Sequence, residues 1–413
     1  MTFEELGLSP RVLTGVRSMG YSEPTPIQRE AVPHILAGSD VVGCAQTGTG
    51  KTAAFVLPML DRIEKTGTIG ALIVTPTREL AQQIADTAMK ATRGTGHRIA
   101  VIYGGVGYEP QLQKLRKGVD IVIATPGRLL DINARGELDL SSVKVLVLDE
   151  ADRMLDMGFW PDVRKIISLC PDSRQNLLFS ATMSTEVLRV VRSTLHEPVM
   201  VETSPAATPV ERIEQRVYPV NAQQKAELLV TLLDRESLDK VLVFTRTKHR
   251  ADHVHKVLAR EGVSSAPIHG GRTQAQRQKA LEGFKSGRHR VLVATDVVSR
   301  GIDVDEISHV INYDLPNTAE DYVHRIGRTA RAGASGSAIT FLAAEEYETL
   351  AEIERVLGER LVCEDVEGFS YGHRIVPNPE RKVDTTPRPV FSSGVMSHRG
   401  GSRRGGQRRG PRR

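Results

Sequence analysis

Residues 41–52 read V-V-G-C-A-Q-T-G-T-G-K-T, and the rest of the chain is best read outward from them. A β-branched run, Val41-Val42-Gly43, leads into a loop that closes on Gly50-Lys51-Thr52. The helix-favouring segment Ala53-Ala54-Phe55-Val56-Leu57 follows. Strand, glycine loop and helix in that order are the context a phosphate-binding loop requires. Gly48 and Gly50 let the backbone curl so that successive N–H groups converge on an anion. A helix starting near Lys51 adds the positive end of its dipole. Lys51 then falls on the outer phosphates and the Thr52 hydroxyl on Mg²⁺. The strict pattern G-x-x-x-x-G-K-[ST] is broken once, because Ala45 stands where the first glycine belongs. Ala45, Gln46, Thr47, Gly48, Thr49 and Gly50 are nonetheless the expected cradle.

On either side of this loop the chain alternates apolar runs with amphipathic ones. Strands are expected at 70–75, 98–103, 119–124, 143–149 and 175–180, and again at 240–245, 264–268, 289–295, 307–312 and 335–342. Their hydrophobicity is continuous rather than alternating, as in strands buried on both faces of a parallel sheet. Helices are expected to open at Pro10 and at Thr25-Pro26. A chain of 413 residues exceeds one ordinary core, so two domains are the prior. Only the first half carries G-K-T. The fold class expected is therefore α/β, with two related parallel-sheet domains and the nucleotide held by the first. The boundaries read as 1–205, a Pro-bearing linker at 206–210, a second domain at 211–368, and a disordered tail at 369–413.

Charge and cysteines narrow the class. The net charge is +5, yet the last fifteen residues hold seven arginines and no acid, so the remainder is slightly acidic. The three cysteines form no C-x-x-C pair, which predicts reduced thiols and no zinc site. With no apolar run of membrane-spanning length, a soluble, cytoplasmic protein without membrane contact is expected.

Asp149-Glu150-Ala151-Asp152 closes the apolar strand 143–148. Acids at the carboxyl end of a parallel strand face the same crevice as the phosphate loop. Asp149 is placed to hold Mg²⁺ through water, and Glu150 to orient and deprotonate an attacking water. With this string on the page, the chain resembles the DEAD-box RNA helicases of helicase superfamily two, which tolerate Ala at the first loop position. Further motifs stand in the family's order: Gly20-Tyr21 with Pro24-Thr25-Pro26-Ile27-Gln28, Pro76-Thr77-Arg78-Glu79-Leu80-Ala81, Gly104-Gly105, Thr125-Pro126-Gly127-Arg128, and Ser180-Ala181-Thr182. The second half adds Val243-Phe244-Thr245, Gln274 with Arg277, Ala294-Thr295-Asp296, Arg300-Gly301-Ile302-Asp303, and His324-Arg325-Ile326-Gly327-Arg328. Ser299, where the family usually has Ala, and Gly271-Arg272 are small departures.

The resemblance implies two RecA-like domains, ATP with Mg²⁺, and RNA-stimulated hydrolysis. Gln28 can both donate and accept, which matches the adenine edge and opposes guanine. Either Tyr21 or Phe3 could stack on the purine. Arg325 and Arg328, three apart on one helix face, are the expected arginine fingers from the second domain. Asp303 resembles the family's ribose-contacting acid, and Ser180, Thr182 and His324 resemble its inter-domain link. For RNA the resemblance assigns Thr77, Arg78, Gly104, Gly105, Thr125, Arg128, His269, Gly270, Thr295, Asp296 and Arg300. Small residues and backbone amides suit a sequence-blind phosphate track. The Arg/Gly tail suits a flexible RNA tether. The function expected is an ATP-dependent RNA helicase acting on short duplexes, its protein partners among RNA-processing or ribosome-assembly factors. An ATP-gated RNA clamp or chaperone and a DNA-directed translocase are the rivals.

Overall fold

The apolar runs become two seven-stranded parallel sheets. In the first lie β1 (Val41–Cys44), β2 (Ala71–Val74), β3 (Ile99–Ile102), β4 (Ile121–Ala124), β5 (Val145–Asp149), β6 (Gln175–Ser180) and β7 (Val199–Glu202). In the second lie β8 (Ile213–Pro219), β9 (Val241–Thr245), β10 (Ser265–Ile268), β11 (Val291–Thr295), β12 (His309–Asn312), β13 (Gly336–Leu342) and β14 (Val362–Cys363). The computed structural model describes residues 1–45, 48–203, 213–235, 238–296, 307–329 and 336–372. The expected linker at 206–210 and residues 373–413 of the expected tail lie outside the described residues, whereas Phe369 and Tyr371, expected at the start of the disordered tail, pack against the core of the second domain.

The strand orders are β3-β4-β2-β5-β6-β1-β7 and β10-β11-β9-β12-β13-β8-β14. The second repeats the first strand for strand, so the two halves share one topology, that of tandem RecA-like domains. Helices cover both faces, and the central strands β1, β2, β4, β5 and β6 are buried along their whole length. This is why they read as unbroken apolar runs. Because every pairing is parallel, the carboxyl ends of the strands gather on one edge. β6 lies between β1 and β5, with Cys44 opposite Ser180 and Asp149 opposite Phe179. The phosphate loop after β1 and the acids after β5 therefore flank the loop after β6.

The two N-terminal helices form where expected, at Pro10–Ser18 and Pro26–Ala37, each with a proline in its first turn. Helix Pro10–Ser18 packs on helix Arg78–Ala91 at backbone distance. A Cβ on Gly15 would overlap the Ala91 carbonyl, and one on Gly94 would overlap that of Arg11. Phe3 is 2% exposed and belongs to this core, stacked 6.3 Å from the exposed Tyr21 ring. Of the two candidates for purine stacking, Tyr21 alone is accessible. Cys44 and Cys170 are buried, and burial pushes both thiols up to about 11, whereas Cys363 is exposed. No helix among the described residues is long and apolar enough to cross a membrane.

Trp160, the single tryptophan, lies in the first half, so its fluorescence reports that domain alone. Gly15→Ala is expected to destabilise the Trp160 unfolding transition in urea by about 1–3 kcal/mol, the usual cost of overpacking. An unchanged midpoint would show that helix Pro10–Ser18 does not fold with this core.

Candidate functional site

Gly48 and Gly50 have φ of 86° and 90°, a region glycine enters without steric cost. Gly50 is the N-cap of helix Lys51–Arg62, whose first residues, Lys51 and Thr52, follow directly on the loop. Lys51 is 7% exposed and its Nζ donates to the Ala45 carbonyl at 2.6 Å. The loop is tied to the preceding helix by Gln28, whose Oε1 accepts from Thr25 N and whose Nε2 donates to Gly50 O, both at 3.0 Å. A side chain at Gly50 would collide with that amide. Gln28 is thus a brace for the loop as well as a candidate base reader. It keeps one donor and one acceptor in reserve. Gln46 and Thr47 lie outside the described residues, as do Arg300 and Asp303.

Asp149 and Glu150 are both buried. Burial pushes Asp149 up to about 7, with Lys51 opposing the rise and Glu150 adding to it. Burial raises Glu150 too, against the pull of Arg153, Lys51 and Arg328. Glu150 holds φ 54° and ψ 54°, left-handed backbone that costs a non-glycine residue about 1 kcal/mol or more. Its Oε2 is buried with no hydrogen-bond partner among the described residues. A strained, under-bonded carboxylate at a strand end is suited to receive a proton. Asp149 and Thr52 supply oxygen donors of the kind Mg²⁺ takes, and no group of three or more His, Cys, Asp or Glu among the described residues could cage a metal alone.

Asp152 is a functional candidate that sequence reasoning missed. Its Oδ2 accepts from Ala181 N, Thr182 N and Thr182 Oγ1 at 3.1, 3.0 and 3.2 Å, while Ser180 Oγ donates to Thr182 O at 2.8 Å. The signal lay in the quoted D-E-A-D string, but it becomes legible only once β5 and β6 are known to be neighbours.

The second half closes over this edge. Lys51, Glu150, Asp152 and Arg153 share one cavity with His324 and Arg328. Arg153 Nη2 donates to Asp296 O at 3.2 Å across the cleft. Further along, Gln274 Nε2 donates to Glu79 Oε1 at 3.2 Å and Arg277 pairs with the same carboxylate. Glu79 and Arg277 are both buried. The sequence carried both strings but nothing to pair positions 195 residues apart.

The expectation that Arg325 and Arg328 share one helix face is not met. Helix Ala319–Ile326 ends before Arg328, which lies in the following turn at the cavity. Arg325 is 2% exposed and faces its own domain: Nε and Nη2 meet the Asp296 carboxylate at 2.6 and 2.7 Å, and Nη1 meets Asp314 O at 2.6 Å. Asp296, expected on the RNA track, is thereby the partner of Arg325. A buried guanidinium needs such a carboxylate, and none was assigned to it from sequence.

Of the other residues expected to meet RNA, Arg78, Gly104, Gly105, Thr125 and Gly270 are at least partly exposed at the carboxyl edges of the two sheets. Arg78 lies over the glycine pair, where a Cβ on Gly105 would overlap its guanidinium. Thr77 is buried and caps helix Arg78–Ala91 by accepting from Leu80 N. Thr295 and His269 are buried, and His269 Nε2 contacts Asp252 at 3.0 Å. Arg128 is 8% exposed and rests on the Tyr108 ring.

Residues 25–190 match the DEAD/DEAH box helicase family and residues 224–333 the helicase conserved C-terminal domain. At 43% identity over 396 residues, the chain is similar to the DEAD-box ATP-dependent RNA helicase RhpA of Helicobacter pylori, with 96% of this chain and 79% of that relative aligned. The ATP-dependent RNA helicase RhlB of Pseudomonas syringae is also 43% identical, over 88% of this chain and 94% of the relative. The chain belongs to the DEAD-box ATP-dependent RNA helicase family. Among solved structures it is similar to S. cerevisiae Dbp5 bound to RNA and ADP BeF3, with TM-score 0.79, 31% identity, and 88% of this chain and 95% of that one covered. Mss116p bound to ssRNA and AMP-PNP has TM-score 0.80 and 29% identity, covering 89% and 79%. The DEAD-box string named for the family is here the segment Asp149 to Asp152, of which Glu150 and Asp152 line the cavity between the two halves and Ala151 packs in the core of the first.

Removing one member of a buried ion pair is costly, roughly 3–5 kcal/mol. Arg277→Met keeps the stem and deletes the charge. It is expected to unlatch the two halves, so that small-angle scattering with RNA and a non-hydrolysable ATP analogue shows a larger radius of gyration than wild type. An equal radius would mean that the Glu79 latch does not hold the closed form.

Proposed function

We propose that this chain is an RNA-stimulated ATPase that binds a single RNA strand across both domains and separates short duplexes locally. The observation that carries the reading is the shared cavity in which Lys51 and Glu150 of one domain meet His324 and Arg328 of the other. A site split between two bodies is complete only when they are together. Hydrolysis is thereby coupled to whatever brings them together.

The roles follow from placement. Gln28 offers adenine its remaining donor and acceptor, and Tyr21, the exposed ring stacked on Phe3, offers a face for the purine. The loop from Ala45 to Gly50 and the N-terminus of helix Lys51–Arg62 surround the phosphates, with Lys51 leaving the Ala45 carbonyl to reach them. Asp149 and Thr52 hold Mg²⁺, which neutralises charge on the phosphates when bound. Glu150 orients the attacking water and takes its proton. Arg328 supplies positive charge from the second domain where the transition state needs it. Arg325 acts at one remove: its bond to Asp296 fixes the end of β11, and Arg153 of the first domain grips the Asp296 carbonyl. Asp152 holds the Ser180–Thr182 loop against the catalytic strand, so a shift at the phosphates reaches the domain interface through it. RNA lies along the carboxyl-edge residues Arg78, Gly104, Gly105, Thr125, Arg128 and Gly270. Contacts there fall on backbone rather than base, which makes binding indifferent to sequence.

Glu150→Gln keeps shape and hydrogen bonding but loses the base. ATP turnover at saturating RNA is expected to fall by about 10²–10⁴, while ATP and RNA still bind together. Turnover within a few-fold of wild type would remove Glu150 from the chemistry. In competition at fixed ATP, single-stranded RNA is expected to stimulate turnover and single-stranded DNA to do so poorly. Equal stimulation would favour a DNA-directed translocase.

A further inference from the structure

The ring of Tyr108 carries two arginines. The guanidinium carbons of Arg128 and Arg135 are each 3.9 Å from its centroid, so they lie no more than twice that distance apart. Both come from helix Pro126–Ala134 and its C-cap, seven residues apart and therefore on the same side of the helix after two turns. Tyr108 comes from the loop that begins with Gly104-Gly105, and its hydroxyl donates to Asp131 Oδ2 of that helix at 3.2 Å.

The two arginines are differently placed. Arg128 is 8% exposed and donates from Nη2 to Val106 O at 3.1 Å, but its Nε and Nη1 have no hydrogen-bond partner among the described residues. Arg135 is exposed, with no ion pair or side-chain hydrogen bond among the described residues. Stacking on a tyrosine face fixes a long, otherwise mobile side chain and leaves its N–H edge open to an anion. Two like charges on one ring repel each other, and nearby negative charge relieves this.

We propose that Tyr108 mounts Arg128 and Arg135 as a two-cation clamp for the RNA backbone, and that Arg135 is a phosphate-binding residue of this chain. The proposal rests on the RNA-track reading above and extends it. Arg135 belongs to none of the motifs read from the sequence. Its placement depends on the tertiary contact with Tyr108, and the clamp explains why a guanidinium as buried as Arg128 is left under-bonded.

The test uses the full chain and a generic single-stranded RNA, reading ATP turnover against RNA concentration and RNA affinity across a salt series. Arg135→Ala is expected to raise the RNA concentration for half-maximal turnover severalfold while saturating turnover stays near wild type. The slope of log affinity against log salt should become shallower by about 0.7, one single-strand phosphate contact. Tyr108→Ala, which unseats both arginines, is expected to weaken RNA binding at least as much, Tyr108→Phe to restore wild-type behaviour, and the double variant Tyr108→Ala with Arg135→Ala to be no worse than Tyr108→Ala alone. Wild-type RNA dependence and slope in Arg135→Ala would overturn the clamp, as would additive losses in the double variant. Arg78→Ala separates the failures: if it weakens RNA binding and Arg135→Ala does not, the clamp is wrong. If neither does, the RNA track itself is wrong.

Discussion

Charge in the cleft is what neither half can balance alone. The first domain brings Asp149, Glu150, Asp152 and Asp156 to one sheet edge and sets Lys51 and Arg153 against them. Burial raises both Asp149 and Glu150, against the pull of Lys51 on each. The second domain supplies Arg328 and His324. In the proposed ATPase, adding a nucleotide's phosphates increases the need for cations, so binding and domain closure favour each other by the same electrostatics. The Glu79–Arg277 pair and the Arg153–Asp296 bond fix where the second domain lands.

The repeated topology explains how one fold serves two roles. In both sheets the strand carboxyl ends gather on one edge, which is where ligands bind in parallel α/β proteins. One edge carries the loop of Gly48, Gly50 and Lys51, and the other carries arginines. Facing the two edges together puts a phosphate cradle opposite its counter-charges. The glycine pair at Gly104 and Gly105 lets the Arg78 guanidinium lie close to backbone.

Much of this was legible in the sequence because buried parallel strands cannot hide their composition. All ten apolar runs singled out there are strands, and the loop, the acids and the His324 to Arg328 string lie together at the cleft. The strands missed are short or peripheral: β7 and β14 are sheet edges with exposed positions, and β8 is partly exposed where it begins. The site residues misplaced are those whose partners are distant in the chain. Arg325 looks like a finger until Asp296 is beside it. Gln28 looks like a base reader alone until Gly50 accepts its amide hydrogen. Motif spacing conveys which groups are present, whereas division of labour among them depends on contacts that only the folded chain makes.

The central claim is that hydrolysis needs both domains. Its most direct measurement is single-turnover ATP hydrolysis by the fragment 1–205 beside the full chain, each at saturating ATP and with RNA present. The account predicts that the fragment binds ATP but hydrolyses it slower by about 10³ or more, the contribution of an arginine finger. Equal rates would show that the first domain completes the chemistry by itself and would contradict the account.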